Sequence, residues 1–426
     1  MKIEPATALR GHIAVPGDKS ISHRAVLVGA IGDGETRIEG FGRSADTEST
    51  LAAVRQLGVT VHEDDVDTLR VEGAGLRGLH EPAGPIDCGN SGTTLRLLAG
   101  ILAGQGGRFE LTGDESLRRR PAGRVAEPLA QMGVHVETAD GRPPLVIRGG
   151  ELQGIRYELP VASSQVKSCV LHAGLYAQGR TTVIEPLPTR DHTERLLAAA
   201  GAPVTRRQGR VSVGPAERLR LGQVSVPGDF SAAAPFIVAA TLLPGSELTI
   251  HDVGLNPTRT GLLDVLERMG ARVTTFHRQR SDGEPLGDLE VRSAELTATM
   301  VRAEEVARLV DELPLFALAA ACARGESRVG GARELRVKET DRIETVTTAL
   351  RSLGIRIVPS DDGFFVRGVP TRPRGGAVSS QGDHRIAMLA AVAGLVSGQG
   401  VDLEGAEAVA VSFPGFFELL DSVTQR

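Results

Sequence analysis

The feature that most constrains this chain is that it repeats itself. Val15-Pro16-Gly17-Asp18-Lys19-Ser20 returns as Val226-Pro227-Gly228-Asp229-Phe230-Ser231. Each copy runs into an Ala-rich apolar stretch, a glycine and a short alternating strand, Glu35-Thr36-Arg37-Ile38 in one and Glu247-Leu248-Thr249-Ile250 in the other. Further copies begin near Gly89-Asn90-Ser91-Gly92, Ala162-Ser163-Ser164-Gln165, Asp311-Glu312-Leu313-Pro314 and Gly382-Asp383-His384-Arg385. A period of roughly 70 residues is too long for a solenoid turn and makes each copy a substantial αβ unit. A second helix recurs with a Leu/Met-Gly-hydrophobic ending, at Leu57-Gly58-Val59, Met132-Gly133-Val134, Met269-Gly270-Ala271 and Leu353-Gly354-Ile355. Glycine directly after the last apolar residue is a helix stop. Short strands ending at glycine follow, as in Leu145-Val146-Ile147-Arg148-Gly149.

Each unit therefore reads strand, helix, strand, helix, strand, strand. The chain is expected to be α/β (α+β), with six units in two groups of three. The matching pair at Val15 and Val226 opens each group, and a helix near Phe416–Val423 completes the second. The first residues are expected to pair with C-terminal strands. That gives one domain at about 18–224 and another from 1–17 plus 225–426, with Pro16-Gly17 and Pro227-Gly228 at the crossings.

Charge excludes some partners. A net charge of −5 does not suit nucleic acid or an acidic membrane, so an anion site must be a local gathering of Lys and Arg. Cys88, Cys169 and Cys322 are far apart and odd in number, which suggests free thiols in a reducing compartment. With no signal-peptide pattern at the N-terminus and no apolar run of spanning length, a cytoplasmic location is expected.

The first helix of each unit opens with small capping residues: Asp18, Ser20, Asn90, Ser163, Asp311 and Asp383. Helix starts favour anions. Parallel stacking of the repeats would gather several starts at one end of each domain, and two such ends facing each other would form an electropositive cleft. The repeat supplies its own control. The first start carries Lys19, Ser20 and Arg24, where its partner carries Phe230, Ser231 and Pro235, so the two charges are not needed to build the unit. At the second start, Gly92 would let a ligand approach the backbone closely. Of the basic run Arg118-Arg119-Arg120-Pro121, Arg120 is expected to point inward. Ser163, Ser164 and Gln165 at the third start could hold a phosphate or could simply cap the helix.

The second domain supplies acid and base. Asp311-Glu312 precedes an apolar run, and Asp383-His384-Arg385 precedes another. In Arg336-Val337-Lys338-Glu339-Thr340-Asp341-Arg342, helical spacing would put Lys338, Asp341 and Arg342 on one face with Glu339 adjacent. No His or Cys spacing suggests a metal, and no phosphate-binding loop of nucleotide enzymes is present.

Taken together, Gly17-Asp18-Lys19-Ser20 with Arg24, Gly89-Asn90-Ser91-Gly92-Thr93, Arg120-Pro121, Ser163-Ser164-Gln165, Arg336 to Arg342 and Asp383-His384-Arg385 resemble the 5-enolpyruvylshikimate-3-phosphate synthase (3-phosphoshikimate 1-carboxyvinyltransferase) family, in order along the whole chain. The resemblance implies two domains of three βαβαββ units, an inside-out α/β barrel arrangement with the active site in the interdomain cleft. It implies transfer of the enolpyruvyl group of phosphoenolpyruvate to the 5-hydroxyl of shikimate 3-phosphate, in the shikimate pathway to chorismate and aromatic amino acids. No cofactor and no metal are expected, and a monomer is. By this resemblance Lys19 lies between both substrates. Ser20, Arg24, Ser163, Ser164, Gln165, Arg190, Asp311 and Lys338 hold shikimate 3-phosphate, and Gly92, Arg120, Gln165, Arg342 and Arg385 hold phosphoenolpyruvate. Asp311 takes the proton of the 5-hydroxyl, and Glu339 exchanges one with the methylene carbon.

One departure stands out. Many members carry a Lys where this chain has Val411, ahead of Ser412-Phe413-Pro414. Arg190-Asp191-His192-Thr193-Glu194 and Asn256-Pro257-Thr258-Arg259 look like the branch that includes glyphosate-tolerant members, whereas Gly92 is the residue of sensitive ones. The related transferase acting on UDP-N-acetylglucosamine usually has a reactive Cys where this chain reads Glu115-Ser116-Leu117-Arg118-Arg119-Arg120. A non-catalytic anion-binding protein would have no use for Asp311 and Glu339.

Overall fold

The computed structural model describes residues 1–278 and 283–426. Its chain divides into two compact units. The N-proximal unit holds Gly17–Val226 with Gly283 and Glu284. The C-proximal unit holds Met1–Pro16 and the other described residues from Pro227 onward.

The N-proximal unit is built three times from one sheet plan. Gln223–Ser225, Asp33–Glu39, Leu69–Ala74 and Thr60–Glu63 lie side by side in that order. The first pair is parallel and the other two pairs are antiparallel. The same plan recurs in Ile86–Asp87, Gly107–Thr112, Arg142–Gly149 and His135–Ala139. It recurs again in Arg156–Glu158, Thr181–Ile184, Arg210–Val213 and Val204–Arg207. A parallel neighbour needs a crossover helix and an antiparallel one needs only a turn. The alternation of long and short connections in the sequence therefore dictates this order.

The C-proximal unit follows the plan twice and then varies it. Ala8–Ala14 runs parallel to Glu247–Gly254, which continues antiparallel into Leu286–Arg292 and Arg272–Arg278. Met300–Val301, Gly325–Val329, Gly363–Gly368 and Arg356–Ser360 repeat it. In the sixth copy Gly376–Ser379 is parallel to Val401–Glu404, but the next, antiparallel place is taken by Lys2–Ile3 from the chain start. The sixth copy thus departs from the six-element unit expected of it. After Val401–Glu404 come the 3-10 turn Ala406–Val411 and the helix Phe416–Val423. The expected pairing of the N-terminal residues is seen in Lys2 with Asp402 and in Leu9 with Thr424.

Among the described residues the strands form separate sheets and do not close into one continuous barrel. The inside-out character lies in the helices. Phe230–Leu242, Leu313–Ala321 and His384–Val396 pack on one another, and along their length nearly every residue is buried. In the other unit Gly92–Leu102 packs against both Lys19–Ala30 and Ser164–Gly174. Helices apolar all round belong inside. Partial exposure is confined to particular places: Lys19 and Ser20 on the first of these helices, Thr93 and Arg96 on the second, Ser164 and Gln165 on the third, Leu242 at the end of the fourth and Arg385 on the sixth. The outer helices stop as the sequence requires, with Gly58, Gly133, Gly270 and Gly354 all at positive φ between 82 and 95°. Gly201 does the same in the third copy.

Candidate active site

In the N-proximal unit the first helix begins at Lys19, with the Asp18 carboxylate accepting from the Ile21 N–H. Ser20 and Lys19 stand half-buried in its first turn, and Lys19 Nζ lies 2.6 Å from Asp46. Arg24, one turn on, is buried. It donates to three neutral oxygens: Thr193 Oγ1 at 2.7 Å, the Ser20 carbonyl at 2.8 Å and Ser168 Oγ at 3.1 Å. Among the described residues no carboxylate forms an ion pair with it. Burial, with Arg190 adding to it, pushes the Arg24 guanidinium down to about 10, while Glu194 pulls the other way. A buried cation with no anionic contact is expensive unless an anion completes it. Arg190 Nη1 reaches within 3.5 Å of Ser20 Oγ and so stands beside the same turn.

The second and third helix starts are joined through Gln165. Its side-chain oxygen accepts from Arg96 Nη1 at 2.8 Å, and its amide nitrogen donates to Thr93 Oγ1 at 2.9 Å. Gly92 is the first residue of its helix, and a Cβ there would stand 2.5 Å from Arg96 Nη1. Arg120 is half-buried, donating to Asn90 Oδ1 at 2.6 Å and to Ser116 Oγ at 3.3 Å, whereas Arg118 and Arg119 are exposed. One expected cap is corrected here. Ser91, not Asn90, accepts from the backbone of Thr94; Asn90 lies too early in the turn and bonds Asp114 and Arg120 instead. Ser163 does cap its helix, accepting from Val166 N–H, and leaves Ser164 and Gln165 in the first turn.

The C-proximal unit gathers its charges around Arg342. This buried guanidinium donates from Nε and Nη2 to the two oxygens of Asp383, at 2.9 and 3.1 Å. Nη2 also reaches Glu339 at 2.6 Å and Nη1 reaches Asp311 at 3.4 Å. Burial alone would lower its pKa, but Asp383 and Glu339 outweigh that and raise it, so Arg342 is a permanent cation. The Asp383 carboxyl is held below its ordinary value: burial works against the charge and Arg342 overcomes it. Lys338 Nζ lies 3.6 Å from Asp311. Arg259 approaches the other Asp311 oxygen at 3.8 Å while donating to Asp229 and Ser231. Arg385 is the second residue of the helix His384–Val396. It donates to the Ser231 carbonyl, its Nε is buried with no hydrogen-bond partner, and among the described residues no carboxylate pairs with it.

The stretch from Arg336 to Arg342 is not the continuous helix its spacing suggested. A 3-10 turn ends at Val337, Lys338 is extended, and the helix starts at Arg342 with Asp341 as its cap. A capping residue needs a non-helical backbone, so the cap breaks the helix where charge spacing would continue it. Asp311 likewise does not cap, since the helix Leu313–Ala321 has no side-chain cap. Val411 sits half-buried in its 3-10 turn and brings no cation. Sequence reasoning missed Arg96, Arg259, Asp229 and Asp46. Arg96 lies one turn after Gly92 and could have been found by that spacing; Asp46 and Asp229 carried no signal beyond a cap. Asp191, His192 and Glu284 lie close enough to hold a metal ion, but Asp191 already accepts from Arg195 and Arg206, which a cation would have to displace.

Buried helices whose starts gather cations and carboxylates, on a repeated sheet plan, define a class, and comparison with known proteins agrees. The fold matches an EPSP synthase from Acinetobacter baumannii with a TM-score of 0.88 and 41% identity, covering 99% of this chain and 97% of that one. It also matches the enolpyruvyl transferase NikO from Streptomyces tendae, with a TM-score of 0.81 over 99% of this chain and 96% of that one, at 21% identity, a likeness of fold alone. The fold is thus that of the enolpyruvyl transferases. The sequence profile of EPSP synthase (3-phosphoshikimate 1-carboxyvinyltransferase) matches residues 3–420. The 3-phosphoshikimate 1-carboxyvinyltransferase of Alkalilimnicola ehrlichii is 50% identical over 98% of this chain and 94% of its own length. That of Salinibacter ruber is 49% identical over 99% of both. The chain belongs to the EPSP synthase family.

Proposed function

We infer that this chain transfers the 1-carboxyvinyl group of phosphoenolpyruvate to the 5-hydroxyl of shikimate 3-phosphate, releasing phosphate, in the shikimate pathway. The observation that carries the mechanism is the fork at Arg342. One buried planar guanidinium holds Asp311 on Nη1 and Glu339 on Nη2. The two nitrogens of such a fork are neighbours, so both carboxylates are fixed at one edge, within reach of a three-carbon substrate.

The chemistry assigned to them is addition followed by elimination. The 5-hydroxyl oxygen attacks C2 of phosphoenolpyruvate, Asp311 accepts the hydroxyl proton, and Glu339 gives a proton to the C3 methylene. The resulting ketal loses phosphate from C2 as Glu339 takes a proton back from C3. An acid and a base at one site are what this sequence of steps needs. Arg24 and Arg190, with Ser20, Ser163, Ser164, Gln165 and Lys338, are assigned to shikimate 3-phosphate. Arg24 suits a phosphate because none of its contacts is anionic. Lys19, Gly92, Arg120, Gln165, Arg342 and Arg385 are assigned to phosphoenolpyruvate, whose two anionic groups suit planar guanidinium forks. The enzyme is proposed to act as a monomer in the cytoplasm; no helix of the described residues is long and apolar enough to cross a membrane.

A panel of acceptors tests the reading. Phosphate release from phosphoenolpyruvate should require shikimate 3-phosphate. Release with UDP-N-acetylglucosamine in its place, or at an equal rate with no acceptor, would overturn it.

A further inference from the structure

Lys167 has no place in the chemistry above, yet it is the most thoroughly enclosed lysine of the N-proximal unit, with its side chain 1% exposed. It sits one turn into the helix that Ser163 opens. Its ammonium lies 2.8 Å from Glu185 and 2.7 Å from Glu194, and it reaches the Thr189 carbonyl at 3.4 Å. Burying three ionised groups is costly unless the arrangement does something a packed apolar cluster would not.

Each of the two carboxylates leads to one cation assigned to the acceptor's phosphate. Glu185 accepts from both the backbone N–H and the hydroxyl of Thr189, which closes the turn just before Arg190. Glu194 follows Thr193, whose hydroxyl accepts from Arg24. Ser168, next to Lys167, meets both Thr193 at 2.6 Å and Arg24 at 3.1 Å. The neighbouring pairs Lys167-Ser168 and Thr193-Glu194 therefore fasten two helices together around the Arg24 guanidinium. Glu194 also acts on Arg24 through space, offsetting part of the cost of its burial.

We propose that Lys167 is a positioning residue for the phosphate of the acceptor: it occupies Glu185 and Glu194, so that Arg24 keeps its charge for the ligand. This rests on the assignment of Arg24 to shikimate 3-phosphate. Without the lysine, Glu194, which already acts on Arg24 through space, would be left to turn to that guanidinium and cancel the site from within. Lys167 itself touches no substrate.

The test is initial-rate kinetics on the full-length enzyme. Lys167→Met should raise KM for shikimate 3-phosphate at least about tenfold, with KM for phosphoenolpyruvate and kcat within about threefold. The charge-balanced variant Lys167→Met/Glu194→Gln removes a cation and an anion together and should recover most of that loss. Simple loss of packing would not be repaired by a second substitution. An unchanged KM for the acceptor in Lys167→Met, or equal damage to both substrates, would overturn the proposal. If Lys167→Met alone fails to fold, the double variant decides: a KM near wild type supports charge balance, and a raised one contradicts it. Calorimetric titration with inorganic phosphate reads the same effect without turnover. An inactive wild type would therefore count against the assigned reaction, while equal phosphate affinity in the wild type and Lys167→Met would count against this role.

Discussion

Asp311 and Glu339 share one guanidinium, and that sets what their removal should do. Arg342 keeps both oxygens of Asp383 when either partner is neutralised, so the fold should survive. Asp311→Asn and Glu339→Gln should each lose about 10²–10⁴-fold in turnover, the usual cost of removing a general acid or base. Rates of the purified variants, beside unfolding midpoints close to wild type, check this; near wild-type turnover in either would remove that residue from the mechanism. At this scale the sequence was legible wherever a charge broke the repeat. Lys19 and Arg24 stood out because Phe230 and Pro235 fill their places in the fourth copy. The partners were not legible. Asp46 is 27 positions from Lys19, and Arg96 is 69 from Gln165, separations over which local spacing carries no information.

Helices show where pattern reading holds and where it fails. The apolar helices and their glycine stops follow directly from the sequence, because burial and left-handed backbone each demand particular residues. The 336–342 stretch failed because a run of charges at helical spacing is compatible with a helix, while Asp341 is also a cap and needs a non-helical backbone. The contact between Gly92–Leu102 and Ser164–Gly174 was not foreseen. A Cβ on Gly100 would lie 2.1 Å from the Cys169 carbonyl oxygen, so the two backbones touch there. Gly100→Ala should therefore cost about 1–3 kcal/mol and loosen the Gln165 bridge to Thr93 and Arg96. Urea denaturation measures the first effect; an unchanged midpoint would show that the helices part without strain.

His172 ties the same two helices, its Nδ1 facing the Leu97 carbonyl at 3.2 Å. Burial pushes it from the ordinary 6.5 down to about 4. The unfolded chain therefore binds a proton that the folded one refuses between those values. This contribution leaves stability intact above pH 6.5 and erodes it as pH falls towards 4. His172→Asn keeps a donor for Leu97 but cannot titrate, so its Tm should fall less steeply across that window. Identical slopes would show that His172 is not a source of the acid sensitivity.

For the whole molecule, the repeat is the economy of the design. One sheet plan, written five times and varied once, sets six buried helices, four of them with partly exposed residues in the first turn, and function then needs only a few substitutions at those helix starts. The plan was legible because period and glycine stops are local signals. The separation of the strands into distinct sheets was not, since nothing in a single strand's pattern says whether a barrel closes. The account's central claim is that the carboxylates at the Arg342 fork carry a group from one substrate to the other. Proton and phosphorus NMR of a reaction mixture containing wild-type enzyme, phosphoenolpyruvate and shikimate 3-phosphate tests it directly. The predicted result is equal consumption of both substrates, with inorganic phosphate and a vinyl ether at the acceptor's 5-oxygen appearing in equal amounts. Phosphate accompanied by pyruvate, with the acceptor recovered unchanged, would contradict it.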